Sequence, residues 1–352
     1  MSRQEVPVRS STITISTLSF VKALIIVATV GFLFLIRDVL AVLFVALIFA
    51  SALSPWVGTL ERRGVPRPLG ILMIYLSIVS LFALTITLLI PPIASEYTQI
   101  AARFPEYSDK VIAGINAYYP DLNVIEQFKI FAKSIQSVLL QTAGDVVGKV
   151  FDFIKGFFAF FLIFVVTFYM IIEENVIRKA IHSVTPQRVQ PYIDELISKI
   201  QTKIGLWLRA QITLSFIIFS LSLIGLTILG VDYALLLALV AGLTEFLPVI
   251  GPIMGGIPAV FIAFNQSPWL ALWVLCLYVL IQRMENDFLV PRVMQKAVGI
   301  NPVVSIIAIL IGGKIAGLLG VLLAIPVATV ISTIIFDFLE HEEERAPHHG
   351  DA

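Results

Sequence analysis

Charge is scarce in this chain, and so is cysteine. Aspartate, glutamate, lysine and arginine make up 14% of the 352 residues, and Cys276 is the sole cysteine. A soluble domain carries roughly 25% charged residues, so the deficit excludes an ordinary soluble globule. One thiol excludes an intramolecular disulfide. The 24 basic and 24 acidic residues cancel, so no basic surface for nucleic acid is expected. The four histidines, His182, His341, His348 and His349, all lie outside apolar runs. No HExxH zinc motif, GxSxG elbow, Walker A loop or GxGxxG fingerprint occurs. The chain therefore reads as a non-enzyme with no cofactor and no metal site.

What is there is apolar: 58% of residues are hydrophobic and mean hydropathy is +0.96. The apolar residues come in a series of runs of about 20, the length that spans a bilayer as helix. A transmembrane barrel would show short alternating segments instead. The expected fold class is all-α, a polytopic transmembrane protein with about eight membrane segments, some broken or re-entrant in the C-terminal half. Its stable partner is the lipid bilayer. Residues 1–92 hold a polar arm and spans near 18–36, 39–57 and 69–90. Arg37-Asp38 is a minimal turn between the first two, and Pro91-Pro92 stops the third. The first run is too long for a signal-peptide core. Basic residues before span 1 and after span 2 place the N-terminus in the cytoplasm.

Residues 93–150 are too polar to span. Ile100, Phe104, Tyr107 and Val111 recur at helical spacing, as do Val124, Phe128, Phe131, Ile135 and Val138. This is the pattern of two extracytoplasmic amphipathic helices joined by a turn. Residues 151–205 carry span 4 and then a cytoplasmic amphipathic helix that starts at Thr185-Pro186. Residues 206–338 form the expected transport core, opening with span 5 at 206–229. The tail, 339–352, is acidic and expected to be disordered.

Within that core, Glu245 sits in the apolar stretch 234–264. Pro248, Gly251, Pro252, Gly255, Gly256 and Pro258 follow it. Proline lacks the N–H that a helix needs, and glycine loosens the backbone. The first arm, 234–247, gives about 21 Å of helix, short of a ~30 Å hydrocarbon core. A broken helix or re-entrant hairpin is expected. Irregular backbone at membrane depth must be buried in protein or line a wet cavity, and a carboxylate there is a functional candidate. A second broken segment at Gly312-Gly313-Lys314 precedes a long span, 317–338, with a kink expected at Pro326. Paired interrupted segments point to a transporter site.

The candidate site residues are therefore Glu245, Pro248, Gly251 and Pro252 at the break, with Arg209 and Gln211 at the start of span 5. Gln282, Glu285 and Asn286 fall on one helical face by steps of three and four, just past a helix expected at 269–281. Lys314 sits at the second tip. Each has a plain alternative: Glu245 as a structural acceptor, Arg209 snorkelling to the interface, Lys314 facing water.

Several of these residues lie in motifs that resemble the autoinducer-2 exporter family, the PerM-like permeases. The matching stretches are 206–211, 230–232, Glu245-Phe246-Leu247-Pro248-Val249-Ile250-Gly251-Pro252, and 282–291. Val293-Met294 with 296–302, and 317–326, also fit. Arg209-Ala210-Gln211 stands where the family usually has Arg-Gly-Gln. The resemblance implies an eight-span bacterial permease of the cytoplasmic membrane, a homo-oligomer, and secondary transport of small molecules. Export of the quorum-sensing signal autoinducer-2 is the named activity, and some relatives resemble sodium/proton antiporters. The eight-span plan puts the C-terminus inside, whereas basic residues in 283–296 with one re-entrant hairpin put it outside. Three readings stand: a carrier for a small polar organic solute, a cation/proton antiporter, and a non-transporting membrane scaffold.

Overall fold

The computed structural model describes residues 17–118, 124–143, 161–173, 176–247, 250–294 and 301–345. Every regular element among them is helical. That follows from the solvent, because a backbone in hydrocarbon must satisfy its own hydrogen bonds. Five helices are long and apolar enough to cross a membrane: Arg37–Glu61, Arg67–Gly114, Gln187–Leu229, Pro268–Met294 and Val303–Leu339. Shorter apolar helices cover Phe161–Ile172 and Ala234–Thr244. The polytopic all-α class is borne out.

Packing divides the chain into two units, residues 1–45 and 46–352. In the first, α1 (Thr17–Leu35) leads into α2 (Arg37–Glu61), which continues into the second unit. Arg37-Asp38 is not a turn. Both lie in the first turn of α2, and Ile36 N–H bonds Phe32 O while Leu40 N–H bonds Ile36 O, each at 3.0 Å. No proline or glycine interrupts the backbone there.

The second unit differs from expectation mainly in how far its helices run. α3 (Arg67–Tyr118) passes through Pro91, Pro92 and Pro105 without stopping. Each proline removes one donor, and the surrounding turns still hold the helix. Its distal half was the expected first hairpin helix, and α4 (Val124–Ala143) is the second. On α4, Ala132 is buried, while Phe131 and Val138 of the apolar stripe face outward.

α5 (Phe161–Ile172) packs on α2 and α3 through Ala50, Leu53, Val57, Ile71 and Ile171. Tyr75 of α3 donates its hydroxyl to Phe164 O at 3.0 Å and meets the Phe164 ring edge-on. Tyr75→Phe keeps the ring and removes one hydrogen bond. It should lower unfolding stability in detergent by about 1 kcal/mol, with Tyr75→Ala costing clearly more. Equal losses for the two would assign the contact to the ring alone.

α6 (Val176–His182) leads to a 3-10 turn at Gln187–Val189 and then α7 (Gln190–Leu229). Pro186 is extended, so the helix start expected at Thr185-Pro186 is displaced to Pro191, in the first turn of α7. The expected surface helix and span 5 are one rod, because only the side-chain pattern changes near 204 and nothing breaks the backbone.

α8 (Ala234–Thr244) and α9 (Gly251–Gln266) form the interrupted stretch. α10 (Pro268–Met284) does not end at Gln282. It runs through a π turn, Glu285–Leu289, into α11 (Val290–Met294). α12 (Pro302–Arg345) is two arms, 302–315 and 318–345. The break lies at Ala316-Gly317, not at Gly312–Lys314. Gly317 has φ 58°, a left-handed conformation that favours glycine. A Cβ on Gly312 would run into the Gly320 carbonyl. In a straight helix those residues would stand about 12 Å apart, so the arms fold back on each other. Pro326 lies inside the second arm, which stays helical through Arg345, into the expected tail.

Candidate functional site

The site grows from the gap between α8 and α9. α8 starts after Tyr233, and its Leu236 N–H donates to Glu96 Oε2 of α3 at 2.8 Å. At its end Glu245 N–H still reaches Ala241 O at 3.2 Å, but Phe246 and Leu247 bond only three residues back. The chain thus tightens into a turn. α9 begins at Gly251, with Pro252 in its first turn where no donor is lost. Thr244 Oγ1 stands 2.8 Å from Val240 O and 2.9 Å from Gly251 O, stitching across the gap. Gly251 fits because a Cβ there would run into the Thr244 carbonyl. With 11 and 16 residues, the arms reach about 17 and 24 Å, each short of ~30 Å. Gly255 presses on Ala241, so the arms fold together as a hairpin.

Glu245 lies at the tip and is 3% exposed. Its backbone carbonyl, freed by the break, accepts from Gln211 Nε2 at 2.8 Å. Its carboxyl neighbours that of Glu285 on the same cavity, and its Oε2 has no hydrogen-bond partner among the described residues. Glu285, 7% exposed, accepts weakly from Gln282 Nε2 at 3.4 Å. These groups face a cavity of about 610 Å³, whose walls include Pro252, Ile257, Phe261 and Tyr278.

The structure therefore brings Glu245, Gly251, Pro252, Gln211, Gln282 and Glu285 together. Pro248 lies outside the described residues. Three expected members are elsewhere. Arg209 donates its Nε to Gly205 O at 3.0 Å and lines a different cavity. Two residues along a helix turn the side chain about 200° away from Gln211. Asn286 is exposed, because the π turn starting at Glu285 breaks the three-and-four spacing. Lys314 is exposed on the first arm of α12. Sequence reasoning missed Thr244 and Tyr278. Tyr278 could have been found from its position one turn before Gln282.

A helical multi-pass membrane protein with two interrupted hydrophobic hairpins has the build of a secondary transporter. The AI-2E family transporter model matches residues 23–340, and the chain belongs to that family of membrane transporters. It is 25% identical over 320 residues to "Putative transport protein YrrI" of Bacillus subtilis (strain 168), covering 89% of this chain and 90% of that one. "Putative transport protein YueF" of the same organism is 26% identical over 340 residues, covering 91% of each. "Putative transport protein YhhT" of Escherichia coli (strain K12) is 24% identical over 300 residues, covering 80% of each.

Proposed function

We propose that this chain is a secondary permease that exports a small organic solute by alternating access at the Glu245 break. The observation that carries the reading is the buried Glu245–Glu285 contact, set at the tip of an interrupted helix and facing a cavity of about 610 Å³. Among the described residues its lining offers two carboxyls, an amide and a phenol but no basic side chain. Such a lining suits a neutral solute rich in hydroxyl donors and repels anions. A signal molecule of the autoinducer-2 type, exported for quorum sensing, fits that chemistry and the family's name. We place the protein in the bacterial cytoplasmic membrane as a homo-oligomer.

The two neighbouring carboxyls favour a second reading, cation/proton exchange, in which a cation and a proton compete for the pair. One variant separates the two. Glu245→Gln keeps size and most hydrogen bonding but neither binds nor releases a proton. In proteoliposomes with an imposed proton gradient and a panel of solutes, the amide variant should retain substantial flux. Glu245→Ala should cost more, leaving Glu285 unpaired at about 1–3 kcal/mol. Loss of exchange together with its pH dependence in Glu245→Gln would establish the antiporter. A folded amide variant with no flux of any solute under any gradient would sink the uncoupled carrier. Full, equal activity in both variants would remove Glu245 from the mechanism.

A further inference from the structure

The second cavity has about half the volume of the first, roughly 320 Å³ by the same measure, and different chemistry. It lies where α2 passes Pro55, α5 ends and α7 changes from its charged to its apolar stretch. α2 and α7 cross closely there, since a Cβ on Gly205 would run into the Ser51 carbonyl.

Two guanidinium groups line this space, Arg178 and Arg209, with Ser51, Ser54 and Gln201 beside them. Among the described residues Glu173 is the one carboxylate in the lining, and its Oε1 is held by Lys179 at 2.7 Å. Arg178 donates Nη2 to Ser198 Oγ at 2.7 Å and stands 3.9 Å from Asp194. Asp194 is shared with His182, whose Nε2 is 3.0 Å away. Arg209 spends its Nε on the Gly205 carbonyl. Among the described residues no carboxylate lies within ion-pair distance of Arg209. Ser51 Oγ is buried and has no hydrogen-bond partner among the described residues.

Among the described residues the cavity therefore holds an excess of positive charge and a buried hydroxyl without a partner. A guanidinium presents a planar fork of donors matched to two oxygens of one anion. We propose that this cavity binds a phosphate group, supplied by an acidic lipid headgroup or by a soluble phosphate. The site is independent of the Glu245 cavity and stands whatever solute that cavity carries.

The test uses the full chain purified in detergent. One arm titrates inorganic phosphate against chloride at equal ionic strength and reads the melting temperature. The other counts phosphatidylglycerol retained in native mass spectrometry, with phosphatidylcholine as the neutral control. Wild type should show a saturable rise with phosphate, selective retention of phosphatidylglycerol, or both. Arg209→Gln should abolish whichever response wild type shows, and Lys110→Gln, which removes a charge paired with Glu106 outside the cavity, should preserve it. Retention without a phosphate response identifies the lipid as the source, and a phosphate response alone identifies a soluble ligand. Arg209→Lys keeps the charge but loses the fork, and Ser51→Ala removes the free hydroxyl. Each should weaken binding by about tenfold, the scale of one hydrogen bond to a charged group, so the test survives if Arg209→Gln misfolds. No response in wild type, or equal responses in the Arg209 and Lys110 variants, would overturn the proposal.

Discussion

Gly251→Ala is expected to abolish the folded hairpin of α8 and α9. The added methyl would sit on the Thr244 carbonyl, with Glu245 Cα at 3.0 Å. Both obstacles are backbone, so neither can swing aside as a side chain does. Relief requires moving the whole tip, which would also strain the Gln211 bond to Glu245 O and the Thr244 stitch. The cost should reach about 3 kcal/mol, the upper end for overpacking. Gly256→Ala is the control, because its Cβ would meet only the Tyr278 ring, at 3.4 Å. Thermal unfolding of the two variants in detergent should show a large loss for the first and a small one for the second. Equal melting would mean that the tip is looser than the packing indicates.

The second large effect concerns Lys199→Met. Lys199 Nζ lies 2.6 Å from Asp337 Oδ1, and the Asp337 side chain is only 5% exposed. Tyr192 also hydrogen-bonds this carboxylate. Removing the lysine leaves a buried charge with too few donors, which costs about 3–5 kcal/mol for a fully buried pair. Here the lysine is 39% exposed, and solvent screening reduces the expected loss to about 2 kcal/mol. The readout is local: hydrogen exchange or proteolysis in 318–345 should accelerate, because this pair ties that arm to α7. Asp337→Asn added to Lys199→Met should recover part of the loss. Unchanged exchange in the single variant would show that apolar packing alone holds the arm.

The break was legible because its signal is local. A carboxylate followed by prolines and glycines in an apolar run can be read from neighbouring residues. Helix type was legible for the same reason, from length and hydropathy. Helix ends were not. Pro91-Pro92 reads as a stop, yet a helix loses only a donor at each proline and goes on where packing supports it. The composition change near 204 reads as a boundary, yet it alters only the face of a continuous rod. The pairing of Glu245 with Glu285 joins residues 40 apart in sequence, and no spacing rule reaches that far. Asn286 was misplaced because counting by threes and fours assumes α geometry, and Asn286 lies within the π turn at Glu285–Leu289. Arg209 and Gln211 share a motif, yet Arg209 lines the second cavity while Gln211 holds the Glu245 carbonyl, since neighbours on a helix look in different directions.

α7 can also be considered mechanically. Its 40 residues make a beam of about 60 Å, twice the hydrocarbon thickness. Gly205 divides it into unequal arms, 15 residues toward Gln190 and 24 toward Leu229, or about 22 and 36 Å. At that point it touches α2 backbone to backbone, the natural fulcrum. Tilting the beam by one degree would shift its ends by about 0.4 and 0.6 Å in opposite senses, while Arg209 and Gln211, close to the pivot, would hardly move. The longer arm would carry Leu226, packed in the apolar core with residues of α8, α9 and α10. The shorter would carry Lys199, tied to the C-terminal arm of α12. Any force applied at one end would thus be delivered at the other with a mechanical advantage set by the position of one glycine.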